Sequence, residues 1–271
     1  MAKKDKYVIP QFNINNLEWT KYILEACEEA KSPVFLGVSV GAAKYMGGYN
    51  TVVKMIQGLI TDLKITIPVM IHLDHSPSVS ECLNAYEAGF DSLMIDASLE
   101  ELEKNISATN EVTTLCPNAL IEAELGRIGG AEDDIAHELR YTNSEQAATF
   151  CNQTNIDMLA PSLGSVHGLY KEEPNINFEV MQSIIESTNK PLVLHGGSGL
   201  PVEILKRSIE HGVCKINFNT ELQVAWNKAV RDFIENNVDV YDPRKIISAG
   251  EQALKETVKT YINILGSNNK G

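Results

Sequence analysis

The sequence predicts an α/β fold, a (β/α)8 TIM barrel, formed as a single domain over residues 1–271. Short apolar, β-type runs alternate with longer segments of helical period from one end of the chain to the other, and eight such pairs follow one another. The polar residues of chemical interest gather where the predicted strands end, which in a barrel is one shared mouth. No shift in composition and no Gly/Ser linker marks a domain boundary.

The predicted strands recur along the chain at a spacing of about 25–35 residues. They are residues 7–12, 34–39, 69–73, 92–96, 119–124, 158–162, 192–195 and 215–218. The predicted helices are residues 17–30, 51–63, 79–88, 102–115, 144–154, 178–187, 202–211 and 221–236, with a ninth, additional C-terminal helix at 248–265. A doubly wound open sheet gives the same alternation, so the count of eight favours the barrel without excluding that alternative.

Composition limits the kinds of partner and compartment. A net charge of −13 works against binding nucleic acid or an anionic membrane through a basic surface, so neither partner is expected. The five scattered cysteines contain no C-x-x-C pair, which is typical of a reducing compartment. No signal peptide or bilayer-length apolar run is visible. We therefore expect a soluble, cytoplasmic protein that holds any phosphorylated ligand with a few placed groups.

Three histidines lie at or just past strand ends, each next to glycine or aspartate. They are His75, His167 and His195. A lone barrel histidine is usually a hydrogen-bonded packing residue, but three imidazoles from three strand ends can form a catalytic metal site with an open position for substrate. His72 is interpreted as structural, because it either faces away from Asp74 or sits deeper.

Two further patterns predict an anion site and an acidic one. The glycine turn after His195 and the segment from Asn217 to Thr220 each precede a helix at the last two strands, where barrels bind phosphate. Alternation along the fifth strand places Glu122 and Glu124 on one inward face, and a glycine-rich acidic loop follows them. Buried carboxylates of this kind need a cation or hydrogen-bond donors.

Eight motifs in unbroken order make the sequence similar to the class II, zinc-dependent fructose-bisphosphate aldolase family over residues 7–265. They are Pro10-Gln-Phe-Asn13, Ser39-Val-Gly-Ala-Ala-Lys-Tyr-Met-Gly-Gly48, His72-Leu-Asp-His75, Glu122-Ala-Glu-Leu-Gly126, Gly164-Ser-Val-His-Gly-Leu-Tyr-Lys171, Leu194-His-Gly-Gly-Ser-Gly199, Lys215-Ile-Asn-Phe-Asn-Thr220 and Tyr241-Asp-Pro-Arg244. The resemblance implies reversible cleavage of fructose 1,6-bisphosphate to dihydroxyacetone phosphate and glyceraldehyde 3-phosphate, in glycolysis and gluconeogenesis.

The resemblance also implies roles for individual residues. The zinc ligands are His75, His167 and His195, and Asp96 and Glu124 match positions of alternative or second-metal sites, so a second metal or a monovalent cation is possible there. The expected substrate contacts are Asn13, Ser39, Gly168, Lys171, Gly196, Ser198, Asn217, Asn219 and Thr220. Arg244 matches an arginine that reaches the distal phosphate in a neighbouring subunit, which implies a homodimer or homotetramer.

The expected chemistry is metal-assisted proton transfer. A metal held by neutral imidazoles polarises the substrate carbonyl, and Asp74, matching the family's acid/base residue, exchanges a proton with the C4 hydroxyl. Glu132, on the acidic loop, is expected to protonate the released enediolate. Tagatose-type relatives tend to carry alanine where Asn219 stands, so the fructose epimer is expected and tagatose 1,6-bisphosphate is the alternative.

The sequence departs from the family pattern at three places. Only six residues precede Tyr7, where the family usually has a helix, so the lower end of the barrel is expected to be covered differently. Ala97-Ser98-Leu99 replaces Gly-Ser-His, and Pro161-Ser162 replaces a small apolar pair. None of these changes falls on an expected zinc ligand.

Three other functions remain open at this stage. A Schiff-base aldolase requires a desolvated lysine, for which Lys215 and Lys171 are the candidates. A metal-dependent hydrolase is less favoured, because its barrel signature is His-x-His. A non-catalytic sugar-phosphate-binding barrel would need neither Asp74 nor the three histidines.

Overall fold

Eight parallel strands close into a barrel. The structure is a computed structural model that describes residues 7–132, 135–170 and 172–271, with no account of the side chains of residues 131–137. The barrel strands are β1 (Ile9–Asn13), β2 (Val34–Ser39), β3 (Val69–Ser76), β4 (Ser92–Ile95), β5 (Leu120–Leu125), β8 (Met158–Pro161), β10 (Leu192–Leu194) and β11 (Val213–Phe218). Because β1 pairs with both β2 and β11, the sheet has no free edge, and the predicted TIM barrel is confirmed over the open sheet.

Helices follow the strands and form the outer layer. They are α1 (Leu17–Ala30), α2 (Val40–Tyr45), α3 (Tyr49–Asp62), α4 (Val79–Ala88), α5 (Leu102–Leu115), α6 (Ser144–Gln153), α7 (Phe178–Thr188), α8 (Val202–Glu210), α9 (Thr220–Asn236), α10 (Pro243–Ser248) and α11 (Glu251–Leu265). Local chemistry sets their limits: in α1 the Asn16 side chain accepts a bond from the Trp19 amide, and Lys31 ends the helix in the left-handed conformation. Within the described chain, none of these helices has both the length and the apolar character needed to cross a bilayer.

The barrel interior is layered from apolar to polar. Its lower layer is a separate cluster of Phe35, Met94, Met158, Ala160 and Val193. Side chains alternate between the two faces of a strand, so inward positions recur every second residue. Toward the carboxyl ends of the strands these inward positions become polar, and this change places the ionisable groups at the mouth.

The additional C-terminal helix predicted at 248–265 is present and ends as predicted, but its predicted start at 248 is wrong. The chain instead forms α10, ending at Ser248, and α11, starting at Glu251. Gly250 lies so close to the Trp226 ring that a Cβ there would overlap it, and the Trp226 indole donates to the Ile247 carbonyl, 3.3 Å away. The packing of one tryptophan across the chain therefore interrupts the helix.

Two segments outside the predicted elements are also regular. Ser39 caps the short helix α2 by accepting from the Ala42 amide at 3.1 Å. The glycine-rich segment after β5 forms strand β6 (Gly129–Glu132), which pairs with β7 (Ile135–His137) and with β9 (Val166–His167). This small sheet stands over the barrel mouth and carries His167.

The C-terminal tail packs against the lower end of the barrel. The Val8 amide donates to the Leu265 carbonyl at 3.1 Å, and the Ser267 hydroxyl donates to the Val8 carbonyl. The Gly271 amide donates to the Lys31 carbonyl at 2.8 Å. These bonds satisfy backbone groups at the amino ends of β1 and β2 that the barrel alone leaves unpaired.

Candidate active site

The three predicted histidines meet at the mouth of the barrel. His75 lies in β3, His167 in β9, and His195 directly after β10. Their ring centroids are 4.6–5.8 Å apart, and His75 Nε2 lies 2.9 Å from His195 Nδ1. One potential ligand atom from each imidazole falls within 4.8 Å of the other two, which is the spacing of a shared metal site.

An irregularity in β3 brings two consecutive residues to the same cavity. In a regular strand, Asp74 and His75 would point to opposite faces. His75 instead has φ of 45°, in the left-handed region, and the pairing of β3 with β4 shifts register between Leu73 and Ser76. Left-handed backbone at a non-glycine residue stores strain that is typical of functional sites. Here it turns the imidazole toward the cavity that Asp74 already faces.

Asp74 is a buried carboxylate held by two amide groups. The Asn13 side-chain amide donates to its Oδ2 at 2.9 Å, and that of Asn217 donates to its Oδ1 at 3.4 Å. Burial acts to raise the pKa of Asp74, but the neighbouring His75, whose positively charged form is favoured, lowers it well below its usual value. The ionised form of the Asp74 carboxyl group is therefore favoured.

Two carboxylates lie close to the second ring nitrogen of His75, Nδ1. Its Nδ1 lies 3.0 Å from Asp96 Oδ2 and 3.5 Å from Glu124 Oε2. Burial lowers the pKa of His75, yet these carboxylates together with Asp74 raise it well above its usual value. Burial and the nearby Asp96 raise the pKa of Glu124 to about 8. Positive charge is thus favoured at this position.

The donor set fits a divalent metal ion. Glu124 Oε2 is buried without a hydrogen-bond partner among the described residues, although it faces His75. Burial lowers the pKa of His167 and of His195, so both imidazoles are favoured in the neutral form that binds metals. Nitrogen donors with nearby carboxylate oxygens match the preferences of zinc and similar ions.

The cavity beside the histidines is built mainly from the last two strands. Its lining is Asn13, Asp74, His75, His167, Gly168, His195, Gly196, Ser198, Asn217, Asn219 and Thr220. Ser198 Oγ accepts bonds from the amides of Asn219, at 3.2 Å, and Glu221, at 3.4 Å, which ties the glycine turn to the start of α9. The Asn217 and Asn219 side-chain carbonyl oxygens are buried without a partner in the described chain, so ligand contacts remain open to them.

Four of the expected site residues are not among those that line the cavity. Two of them are placed by the structure, and the side chains of the other two are not described. Ser39 is engaged as the cap of α2 and does not line the cavity. The Arg244 side chain is 89% exposed on α10 and pairs with Asp242 at 2.9 Å. Glu132 is in β6, but its side chain, like residue Lys171 as a whole, lies outside what the structure describes.

A buried ion pair lies beneath the histidines, and sequence analysis did not anticipate it. Lys215 Nζ donates to Glu122 Oε2 at 2.8 Å, and Glu122 Oε1 lies 2.8 Å from His195 Nε2. The signal was present, because Lys215 shares the inward face of β11 with Asn217. An amine paired with a buried carboxylate is not the free nucleophile that a Schiff-base mechanism requires. His72 also sits here, deeper than Asp74 on the same face, with Nδ1 2.8 Å from Ser92 Oγ.

Two glycines clamp the strand that carries His167. Gly130, with φ of 97°, lies so close to the His167 backbone that a Cβ would overlap it, and Gly196, with φ of 65°, has the same relation to Val166. Only glycine combines this backbone conformation with such close approach. Gly130, after β5, and Gly196, after β10, therefore fix the position of the segment that carries the His167 imidazole.

A closed parallel barrel with convergent imidazoles and an ionised aspartate at its mouth defines a barrel enzyme of the metal-binding type. The sequence profile of the family "Fructose-bisphosphate aldolase class-II" matches residues 1–270. The chain belongs to this family, and it is an aldolase, a carbon–carbon lyase.

Individual relatives agree with this assignment. The chain is 51% identical to a fructose-bisphosphate aldolase of Geobacillus stearothermophilus, over 99% of this chain and 95% of that protein. The structure of the YdjI aldolase of Escherichia coli K12 matches with a TM-score of 0.85 at 33% identity, over 99% and 95% of the two chains. A putative fructose-1,6-biphosphate aldolase of Coccidioides immitis matches with a TM-score of 0.88 at 28% identity, over 99% and 94%.

The close contact of Gly130 with the His167 backbone predicts that one added methyl group lowers both stability and metal affinity. Gly130→Ala should lower the free energy of unfolding by about 1–3 kcal/mol, because alanine is strained at this φ and meets the His167 backbone. It should also weaken divalent-metal binding by displacing His167. Gly58→Ala in α3 is the matched control: open space surrounds that position, and a gain of about 0.5–1 kcal/mol is expected. Denaturant unfolding and metal titration of both variants test this, and unchanged metal affinity in Gly130→Ala would contradict the clamp.

Proposed function

We propose that this protein catalyses the reversible cleavage of fructose 1,6-bisphosphate to dihydroxyacetone phosphate and glyceraldehyde 3-phosphate, with zinc as its metal. The reaction would serve glycolysis and gluconeogenesis in the cytoplasm. One observation carries the proposal: three convergent imidazoles line the same cavity as the buried carboxyl group of Asp74. The name and 51% identity of the Geobacillus relative support the substrate.

His75, His167 and His195 would hold the zinc ion, leaving a position open for substrate. Bound there, zinc supplies Lewis-acid polarisation of the substrate carbonyl oxygen at C2. Asp96 and Glu124 flank His75 on the other side and would offer an alternative or second cation position. Their oxygen donors also suit a monovalent cation.

Asp74 would move the proton at the C4 hydroxyl. In cleavage its carboxylate takes this proton as the C3–C4 bond breaks, and in synthesis it returns it. Asn13 donates to one oxygen of the carboxylate and Asn217 to the other, and these two bonds restrain its orientation. Glu132 would protonate the three-carbon enediolate at the carbon that has lost its partner.

The glycine turn and the start of α9 would hold the phosphate of the dihydroxyacetone half. Backbone amides at Gly196, Ser198 and Thr220, at or near helix starts, suit a phosphate group. Gly168 and Lys171, after β9, would close the same pocket. Asn217 and Asn219 would place their open carbonyl oxygens against substrate hydroxyls.

The choice of epimer rests on Asn219. Its side-chain oxygen lines the cavity and has no protein partner in the described chain, so it can accept a bond from a sugar hydroxyl. Fructose and tagatose bisphosphates differ at C4, next to the bond that breaks. A hydrogen-bonding side chain at this position supports the fructose epimer.

Turnover of the two bisphosphates, with and without a chelator, tests the proposal. We expect faster cleavage of the fructose epimer, loss of activity in EDTA, and recovery with zinc. Asn219→Ala should narrow the preference between the epimers, because the pocket loses one hydrogen-bonding group, typically about 1–3 kcal/mol of discrimination. Binding of bisphosphate without turnover would instead support a sugar-phosphate-binding barrel, and a preference for tagatose would overturn the epimer assignment.

Asp74→Asn isolates the proton-transfer role. The amide keeps the shape of the side chain but cannot accept the C4 proton, so turnover should fall about 10²–10⁴-fold. Zinc content and affinity for dihydroxyacetone phosphate should stay close to wild type. Loss of zinc together with activity would make Asp74 a partner of the metal ligands rather than the base.

The distal phosphate would be bound by Arg244 of a neighbouring subunit in a homodimer or homotetramer. The described cavity lining contains no lysine or arginine, although the substrate carries a second phosphate. The Arg244 side chain is 89% exposed, and its guanidinium donates to the Asp242 carboxylate. A guanidinium binds phosphate through two parallel charge-assisted bonds, which lysine does not reproduce.

Arg244→Ala should raise KM for the bisphosphate far more than it weakens the binding of dihydroxyacetone phosphate. The matched control is Arg231→Ala at another exposed arginine, on α9. It should change neither KM for the bisphosphate nor the affinity for dihydroxyacetone phosphate. Mixing Arg244→Ala with Asp74→Asn should restore up to about a quarter of dimer activity, since half the dimers are mixed and each has one intact site. A mixture that stays inactive after verified subunit exchange, or a fully active monomer, would refute the shared site.

A further inference from the structure

The imidazole of His195 is contacted on both of its nitrogens. Nε2 faces downward to Glu122 Oε1 at 2.8 Å. Nδ1 faces the other histidines, 2.9 Å from His75 Nε2, and lies 3.1 Å from the Asn217 side-chain nitrogen. His195 and Glu122 are almost wholly buried, so these contacts are not exchanged for water.

The partner of Nε2 decides the tautomer. An ionised carboxylate only accepts hydrogen bonds, so the ring nitrogen facing Glu122 must carry the proton. In neutral His195 the lone pair then lies on Nδ1, which is the nitrogen directed at the other two imidazoles. A metal-binding histidine is commonly oriented by a carboxylate on its second nitrogen.

Glu122 has its own partner in Lys215. The lysine ammonium donates to Oε2 at 2.8 Å, which leaves Oε1 for His195. Its Nζ also lies 5.6 Å from the centroid of the Phe35 ring, at the boundary with the apolar lower layer. A buried carboxylate without a cation would favour its protonated form and could then donate, rather than accept, at Oε1. The lysine thus secures the acceptor that His195 needs.

We propose that Glu122 and Lys215 act as a positioning pair, which fixes His195 with its proton on Nε2 and its Nδ1 lone pair toward the metal. Neither residue lines the cavity, so the pair would act on the metal site through His195. Glu122 Oε2 also lies 3.8 Å from His72 Nε2, a longer contact than its bond from Lys215. This inference rests on the proposed metal role of His195. A buried ion pair that merely fills the barrel is the competing explanation.

Substitution of Glu122 by glutamine separates the two explanations. A glutamine has one acceptor oxygen and one NH2 group, so it cannot accept from both Lys215 and His195. Either the Lys215 ammonium group or the His195 Nε2–H then faces the NH2 group of the glutamine. Lys215→Met removes the competing donor, so in the double variant Glu122→Gln/Lys215→Met the glutamine oxygen is free to accept from His195 again.

Nitrogen NMR of the histidine rings in metal-free protein reports the tautomer, and zinc titration against a competing chelator reports affinity. We expect Glu122→Gln to lose the single Nε2–H tautomer of His195 and to bind zinc about 10–100-fold more weakly. The double variant should recover that tautomer and bind zinc more tightly than Glu122→Gln. Lys255→Met, at the partly buried ion pair with Glu25 and Glu251, is the control and should leave both readouts unchanged.

The outcomes distinguish this inference from the proposed function. If Glu122→Gln keeps the wild-type tautomer and zinc affinity and loses only stability, the pair is structural and the inference is wrong. Should Glu122→Gln fail to fold, the double variant decides: a His195 without the Nε2–H tautomer would contradict the inference. Wild-type protein that shows the tautomer but binds no zinc would refute the metal role while leaving the positioning contact intact.

Discussion

Compensation of buried negative charge governs the mouth of this barrel. Asp74, Glu122 and Glu124 are buried within its polar upper layer, and the partly exposed Asp96 lies beside them. Burial alone would favour their neutral forms, so each charged form depends on a partner. Lys215 supplies the partner of Glu122, and amide groups restrain Asp74. Asp96 and Glu124 instead surround His75, and this excess of carboxylate is what a bound cation would balance.

The fold makes this concentration of charge possible. Closing eight parallel strands brings their carboxyl ends to one rim, so residues far apart in sequence become neighbours, such as Asn13 and Asp74. The apolar lower layer and the C-terminal tail keep the other end of the barrel closed. The rim itself departs from regularity at His75 and at the strand carrying His167, which are the places where imidazoles must turn toward a shared point.

Sequence patterns predicted the repeating architecture and most of the rim. Helices bounded by strong local signals matched closely: Ser78 caps α4 and Gly89 ends it, so the predicted 79–88 range agrees with the structure. The position of His75 and His195 at strand ends was enough to predict that they lie close together. The split before α11 escaped prediction, because it depends on the contact of Gly250 with Trp226, a tertiary feature with no local signature. The Glu122–Lys215 pair was missed for another reason: the alternation of β5 and β11 puts both side chains inside the barrel, but it does not show that they lie at the same height.

The chemistry proposed for this barrel depends most on three imidazoles sharing one metal ion. The most direct measurement is a crystal structure of the zinc-loaded protein, with the ion located by anomalous scattering at the zinc edge. The account predicts one strong site with nitrogen atoms of His75, His167 and His195 about 2.0–2.1 Å from the ion, and His195 coordinating through Nδ1. A strong site elsewhere, or one in which any of the three imidazoles stays outside the coordination sphere, would contradict it.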